Sequence, residues 1–341
     1  MTITPLQIEL TGCAKNKKRA LATSNPSRVP SFGVRFCEVD GAIMPPPYSL
    51  IDRTLKMHVL NIVKVIIVCT LLSACSQDQP AIWRVETNDV ALFLAGSLHY
   101  VNPSTDWSVT RFDEIASEMN ELILEINSST DSSELDFFIQ NHGTSQKPNG
   151  LQDHLSPSVY QDFSDRYHKI SQVKKTKHLE TPWYALLKYV ARRNLRDGLS
   201  PKYGLENYIL QKAEDLHVEV SGLETVTFQL EELAFLSNAD PDSLFELEFK
   251  TENSTHKLES AWARGDVQTI FEVLFQYEDE YPLLFDRLIS KRNKQWARQL
   301  SEILKNGSGT KLVVVGVGHM VGRNSVIELL KQEGFLVTRL D

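Results

Sequence analysis

Two short stretches far apart in the chain constrain its fold more than any other feature: Ala91-Leu-Phe-Leu-Ala-Gly96-Ser97-Leu98-His99 and Lys311-Leu-Val-Val-Val-Gly316-Val317-Gly318-His319. Each is an apolar run of strand composition, broken by glycine and closed by histidine in the pattern Gly-x-x-His. A buried strand followed by glycine lets the backbone turn sharply, so the histidine is presented at the strand's carboxyl end. In open α/β sheets, ligands bind at that edge. If both strands belong to one sheet, the two imidazoles can converge on one site.

The intervening sequence supplies more of such a sheet. Ala81–Glu86 and Val90–Ala95 read as a hairpin around Thr87-Asn88-Asp89. A helical pattern runs from Ser108 to Asn120, and Glu121-Leu-Ile-Leu-Glu125-Ile126 is a short apolar strand ending at a carboxylate. An unpaired buried carboxylate is costly, so Glu125 marks either a functional site or a strand end at the surface. Residues 134–220 are mostly helical, with one helix opened by Thr181-Pro182-Trp183 and an amphipathic one from Gly204 to His217. Val218–Glu224 reads as a strand ending in a second glutamate, and Thr225 can cap the helix after it. Helices fill 225–305 with breaks at Asn238–Asp242, Gly265-Asp266 and Tyr281-Pro282; then come the strand Lys311–Gly316, a helix Ser325–Glu333 and a strand Phe335–Leu340. Strands alternating with helices at both ends, around an inserted helical block, imply an α/β fold with a mixed sheet flanked by helices.

The four cysteines, Cys13, Cys37, Cys69 and Cys75, all precede residue 76. Residues 76–341 therefore have no disulfide, thiolate metal ligand or cysteine nucleophile. Of 44 acidic and 36 basic residues, four and nine fall before residue 76, leaving 40 against 27 in 76–341. A field of that sign disfavours nucleic acid and anionic lipid as direct partners of the folded part, and solubility is its plain account.

Residues 57–75 resemble a bacterial lipoprotein signal: Lys64 precedes the apolar run Val65–Leu72, and Leu72-Ser73-Ala74-Cys75 is similar to a lipobox. The run is short of the roughly 20 apolar residues that a membrane span requires. Lipidation of Cys75 would anchor the adjoining domain, residues 76–341, to a membrane face. Ser76 after the cysteine favours the outer membrane, facing the periplasm. An ordinary cleaved signal or a short uncleaved anchor are the alternatives. Residues 1–56 show no helical or strand period and fit no signal pattern. With Met57 opening the signal, they read as upstream sequence outside the fold, the alternative being a cytoplasmic tail before a membrane anchor.

His99, Glu125, Glu224 and His319 all fall at ends of expected strands. Two imidazoles with one or two carboxylates suit a divalent metal such as Mn, Co, Zn or Fe, which lowers the pKa of bound water for hydrolysis. A spare glutamate suits a general base. Ordinary structural histidines are the competing account, and the other histidines of the folded part (142, 154, 168, 178, 217 and 256) lie in polar or helical contexts that suit it. Neither His-Glu-x-x-His, Gly-x-Ser-x-Gly nor a phosphate-binding loop occurs.

Several blocks carry a family resemblance: Phe93-Leu-Ala-Gly96-Ser97-Leu98-His99, Leu122-Ile-Leu-Glu125, Gly222-Leu-Glu224-Thr225 with Gln229, Trp262-Ala-Arg-Gly265-Asp266, Arg292-Asn293-Lys-Gln-Trp296-Ala297 and Val315–Gly322. In order and spacing, residues 81–341 resemble the TraB/PrgY/GumN family, itself similar to the metazoan Tiki proteases and the erythromycin-esterase/ChaN-like group. The resemblance implies that fold, and a metal-dependent hydrolase of peptides or small molecules with His99, His319 and Glu125 around the ion. It puts Glu224 and Arg292-Asn293 in the same pocket, where Glu125 or Glu224 acts as base. Arg292 either meets a substrate anion or developing oxyanion, or pairs with a glutamate; Trp296 packs in the core. The name-giving members resemble inhibitors of peptide pheromone signalling. Hence the rival reading is a non-catalytic envelope lipoprotein that binds a peptide or a haem-like ligand. A third is a structural protein whose histidines only hydrogen-bond.

Overall fold

The computed structural model describes residues 78–126, 132–171 and 177–340. The signal-like segment, Cys75 and residues 1–56 lie outside them. Among the described residues no helix is long and apolar enough to cross a membrane.

Among the described residues six strands form one sheet: β1 (Ile82–Glu86), β2 (Val90–Ser97), β3 (Glu121–Ile126), β4 (Glu219–Glu224), β5 (Gly309–Gly316) and β6 (Val337–Leu340), in the order β4-β3-β5-β2-β1-β6. The contiguous pairs β4–β3, β3–β5 and β5–β2 are all parallel. β1 folds back antiparallel on β2 as the expected hairpin, and β6 lies antiparallel on β1. The sheet is therefore mixed, as the sequence pattern implies. The two Gly-x-x-His strands are direct neighbours, with Gly96 opposite Val315 and Ser97 opposite Gly316.

The helices are α1 (Thr110–Glu118), α2 (Ser132–His142), α3 (Pro157–Ser171), α4 (Pro182–Arg196), α5 (Leu205–Leu216), α6 (Val226–Ala239), α7 (Pro241–Thr251), α8 (Thr255–Ala263), α9 (Val267–Phe275), α10 (Pro282–Phe285), α11 (Lys291–Asn306) and α12 (Val326–Gln332). A π-helical turn, Asp286–Ser290, joins α10 to α11. Buried parallel strands need apolar residues on both faces, and β3 and β5 supply them by alternation. Leu122, Leu124, Leu312 and Val314 enter the core under α1, α5, α8 and α9. Ile123, Val313 and Val315 enter the opposite core with Trp296 and Leu300 of α11 and Ile327 of α12. A third core, built around Phe163, Trp183, Tyr189 and Phe245, belongs to the inserted helical block and reaches the sheet at Ile126, the end of β3.

Of the expected boundaries that shift, three have a clear local reason. The first helix stops at Glu118 because Asn120 is drawn to β5, donating to the Thr310 carbonyl at 2.7 Å and accepting from its N–H at 2.8 Å. The final strand begins at Val337 because Gly334, at φ 94°, ends α12 in a left-handed turn, with the Phe335 N–H returning to the Leu330 carbonyl. The strand β4 starts one residue late, since the Val218 N–H still caps α5 at the Ala213 carbonyl.

Candidate functional site

Because β4, β3, β5 and β2 run parallel, their carboxyl ends share one edge, and each delivers a candidate residue there. Glu224 ends β4, Glu125 is the penultimate residue of β3, His319 closes the single turn Val317–His319 after β5, and His99 lies two residues past β2. Trp262 secures the end of β2 by donating its indole N–H to the Gly96 carbonyl at 2.7 Å. At the end of β5, Gly316 has no side chain to hold Glu125 away. Its N–H donates to Glu125 Oε1 at 2.6 Å, and a Cβ there would stand 3.0 Å from that oxygen.

Arg292, from the first turn of α11, occupies the centre. Its Nη2 donates to Glu125 Oε2 at 2.7 Å and to Glu224 Oε1 at 2.6 Å, and its Nε to Glu224 Oε2 at 3.0 Å. Its Nη1 donates to the Leu288 carbonyl at 3.1 Å, a group supplied by the π-helical turn. Of the two roles left open for Arg292, pairing with a glutamate is realised, and with both of them. Gln229 of α6 completes the cluster, donating to Glu125 Oε2 at 3.1 Å and to Glu224 Oε1 at 3.0 Å. Trp296 packs in the core as expected, beneath the guanidinium at 4.7 Å and the His319 ring at 4.4 Å.

The two carboxyls are driven apart by their surroundings. Burial alone would raise Glu125, but the Arg292 charge, helped by His319 and His99, outweighs it and brings the carboxyl down to about 2. Glu224 is pushed up, first by burial and also by the Glu125 charge, which Arg292 does not fully offset.

The histidines diverge in the same way, and their hydrogen bonds explain it. Asn293 donates its Nδ2 to the Asn324 carbonyl at 2.7 Å, and a carbonyl can only accept, so its Oδ1 must face His319 Nδ1 at 2.6 Å. The proton of a neutral His319 therefore sits on Nδ1, and Nε2 carries a lone pair that accepts from Arg292 Nη1 at 3.3 Å. Burial, reinforced by the Arg292 charge, lowers His319 to about 3 and keeps it neutral. His99 has a carboxylate behind it instead: Glu206 Oε2 lies 3.2 Å from its Nδ1. Burial works against the protonated ring, but the Glu206 hydrogen bond and charge prevail and raise the pKa. His99 Nε2 is buried and has no hydrogen-bond partner.

Neither spacing nor composition pointed to Glu206, and its reach depends on a glycine. A Cβ on Gly204 would stand 2.6 Å from the Leu98 carbonyl, so only glycine lets the start of α5 approach the His99 loop closely enough. Gly-Leu-Glu at the head of an amphipathic helix was the one available signal, and it says nothing by itself. Asn324, which orients Asn293, had none.

Donor chemistry decides whether a divalent ion suits the site. In their neutral forms both imidazoles have Nδ1 committed to an acceptor and Nε2 left as a lone pair, the arrangement found behind metal-bound histidines. The partnerless Nε2 of His99 fits a ligand, and His319 Nε2 lies 3.8 Å from Glu125 Oε1. Among the described residues no three His, Cys, Asp or Glu side chains are grouped closely enough to hold an ion as they stand. The Arg292 contact to His319 would have to open for all three donors to converge.

The family model for TraB/PrgY/gumN matches residues 81–339. The chain belongs to the TraB/PrgY/gumN family. Searches of curated proteins and of solved structures give no significant match. The matched span takes in the six strands but for Leu340, the last residue of β6, so the family assignment and the sheet edge that gathers the candidate residues describe the same domain.

Proposed function

We propose that this TraB/PrgY/gumN chain is a metal-dependent hydrolase, acting on peptides or small molecules at the sheet edge and tethered to the envelope through Cys75. The observation that carries this reading is the buried and partnerless Nε2 of His99, near a second histidine whose tautomer is fixed the same way. His99, His319 and Glu125 would hold the ion, with Mn, Co or Zn the natural choices for such a donor set. When bound, a divalent ion supplies a hydroxide near neutral pH and polarises a carbonyl.

The chain's own residues supply the remainder. Glu206 and Asn293 aim the two imidazoles. Arg292 neutralises the two carboxylates and fixes their positions. Glu224, which burial keeps closer to its protonated form, is the group suited to passing a proton to a leaving amine. His99, Glu125, Arg292 and His319 are all buried, which limits their contact with bulk water.

Elemental analysis of residues 76–341, purified without a histidine tag, tests the reading beside His99→Ala and His319→Ala. Near-stoichiometric metal in the parent, lost in folded variants, supports it. No metal after incubation with Mn, Co and Zn overturns it. One observation favours a binding module instead: Arg292 and Gln229 already engage both carboxyls. On that reading the parent binds ligand without metal and without turnover.

A further inference from the structure

Beside the site runs a groove of about 490 Å³, large enough for a short peptide segment. Its floor is the stacked pair Phe271 and Phe275, with ring centroids 5.2 Å apart at 21°, flanked by Ile289 and Val321. Glu278 and Asp279 lie on its lining, as do Arg323 and Asn324. Among the described residues neither of these carboxylates nor Arg323 forms an ion pair, so all three charges are available to a ligand.

The groove is connected to the candidate site in three ways. Phe275 and Ile289 also line a small cavity of about 30 Å³ whose remaining wall includes Gly316, Gly318 and His319. Asn324, on the groove's lining, supplies the carbonyl that orients Asn293 and, through it, the His319 ring. The π-helical turn contributes Ile289 and Ser290 to the groove and the Leu288 carbonyl to Arg292. Such turns recur at functional sites.

We propose that this groove is the docking subsite for a peptide substrate, and that it selects an aromatic side chain next to a cationic one. The aromatic ring lies on Phe271 and Phe275, where offset stacking adds to burial. The neighbouring lysine or arginine meets Glu278 and Asp279, and Arg323 with Asn324 takes main-chain carbonyls. Two carboxylates against one guanidinium exclude an acidic residue from the same place. The inference rests on the hydrolase reading for its substrate class, but the groove can be tested apart from turnover.

The probes are acetyl-Lys-Phe-Ala-amide and acetyl-Glu-Phe-Ala-amide, titrated calorimetrically into the full-length protein, with hydrolysis followed separately. The lysine peptide is expected to bind about fivefold more tightly, the scale of an exposed ion pair. Glu278→Gln with Asp279→Asn should erase that preference, Phe271→Ala should weaken both peptides, and His319→Ala should leave binding in place. Circular dichroism confirms that each variant is folded. An unchanged preference in the double variant, or no saturable binding of either peptide, overturns the proposal even if the parent hydrolyses them elsewhere. Selective binding without hydrolysis upholds the groove and counts against the hydrolase reading instead.

Discussion

Arg292→Ala is the most informative single perturbation, because one guanidinium neutralises two buried carboxyls. Its removal deletes the bonds of Nη2 to Glu125 at 2.7 Å and Glu224 at 2.6 Å and of Nε to Glu224 at 3.0 Å, with Gln229 still donating to both acids. Breaking a buried pair by removing one partner costs about 3–5 kcal/mol, most of it the penalty of the stranded charge. For a domain of this size that lowers Tm by roughly 6–20 °C. The deficit must also depend on pH, with a definite sign. In the parent, Glu125 sits at about 2, so its contribution is present above its unfolded value near 4.5 and is lost as pH falls towards 2. In the variant the largest cause that opposes burial is gone and only His319, His99 and the Gly316 N–H still lower Glu125, so its carboxyl rises, the penalty is greatest at neutral pH and it relaxes as acid protonates the pair. His319 acts in the same direction, since losing Arg292 removes one of the three causes that hold it near 3. Urea unfolding of parent and variant at pH 7.5 and pH 5.0 gives the two differences directly. A deficit below about 1 kcal/mol at pH 7.5, the scale of a surface pair, would refute the reasoning, as would one that grows at pH 5.0.

Two further substitutions probe how His99 is held. In Glu206→Gln the hydrogen bond and charge that raise His99 are weakened or lost, so its imidazole, followed by NMR, should titrate at lower pH than in the parent. The corresponding stability, present below the unfolded value of 6.5 and lost as pH rises through the folded pKa, should shrink with it; an unmoved titration would show that Glu206 is not the controlling partner. Gly204→Ala drives a Cβ into the Leu98 carbonyl at 2.6 Å, a backbone atom that cannot rotate away. The expected cost is about 1–3 kcal/mol in urea unfolding, together with the same downward shift of His99 as in Glu206→Gln; a variant matching the parent in both would show that α5 can start further from the loop.

Much of the fold was legible because its strands are short apolar runs with strong punctuation. Val313–Val315 and Leu122–Leu124 have no polar residue to suggest a helix face, and glycine or glutamate marks where each strand leaves the core. What periodicity could not supply is strand order, and the site depends on it. Only the adjacency of β2 and β5, with β3 and β4 beyond, turns four strand ends into one edge. The site was legible to the same depth. Residues at strand ends were found, whereas groups arriving from helices were found only where the family blocks contained them, as with Arg292, Asn293 and Gln229. Glu206 escaped both, since a helix's first turn is an ordinary place for a glutamate.

The two Gly-x-x-His motifs look interchangeable in sequence, yet the folded protein gives their rings opposite proton affinities. The backbone geometry is shared; the difference comes from what stands behind Nδ1 and before Nε2. His99 has a carboxylate behind it and nothing before it, which favours a proton. His319 has a neutral amide behind it and a guanidinium before it, which disfavours one. An ion that needs both lone pairs therefore meets no proton at His319, only the Arg292 contact that must open, and competes with a proton at His99. The pH response of the centre is thus assigned to the Glu206 side, while Arg292 sets its charge balance from the other.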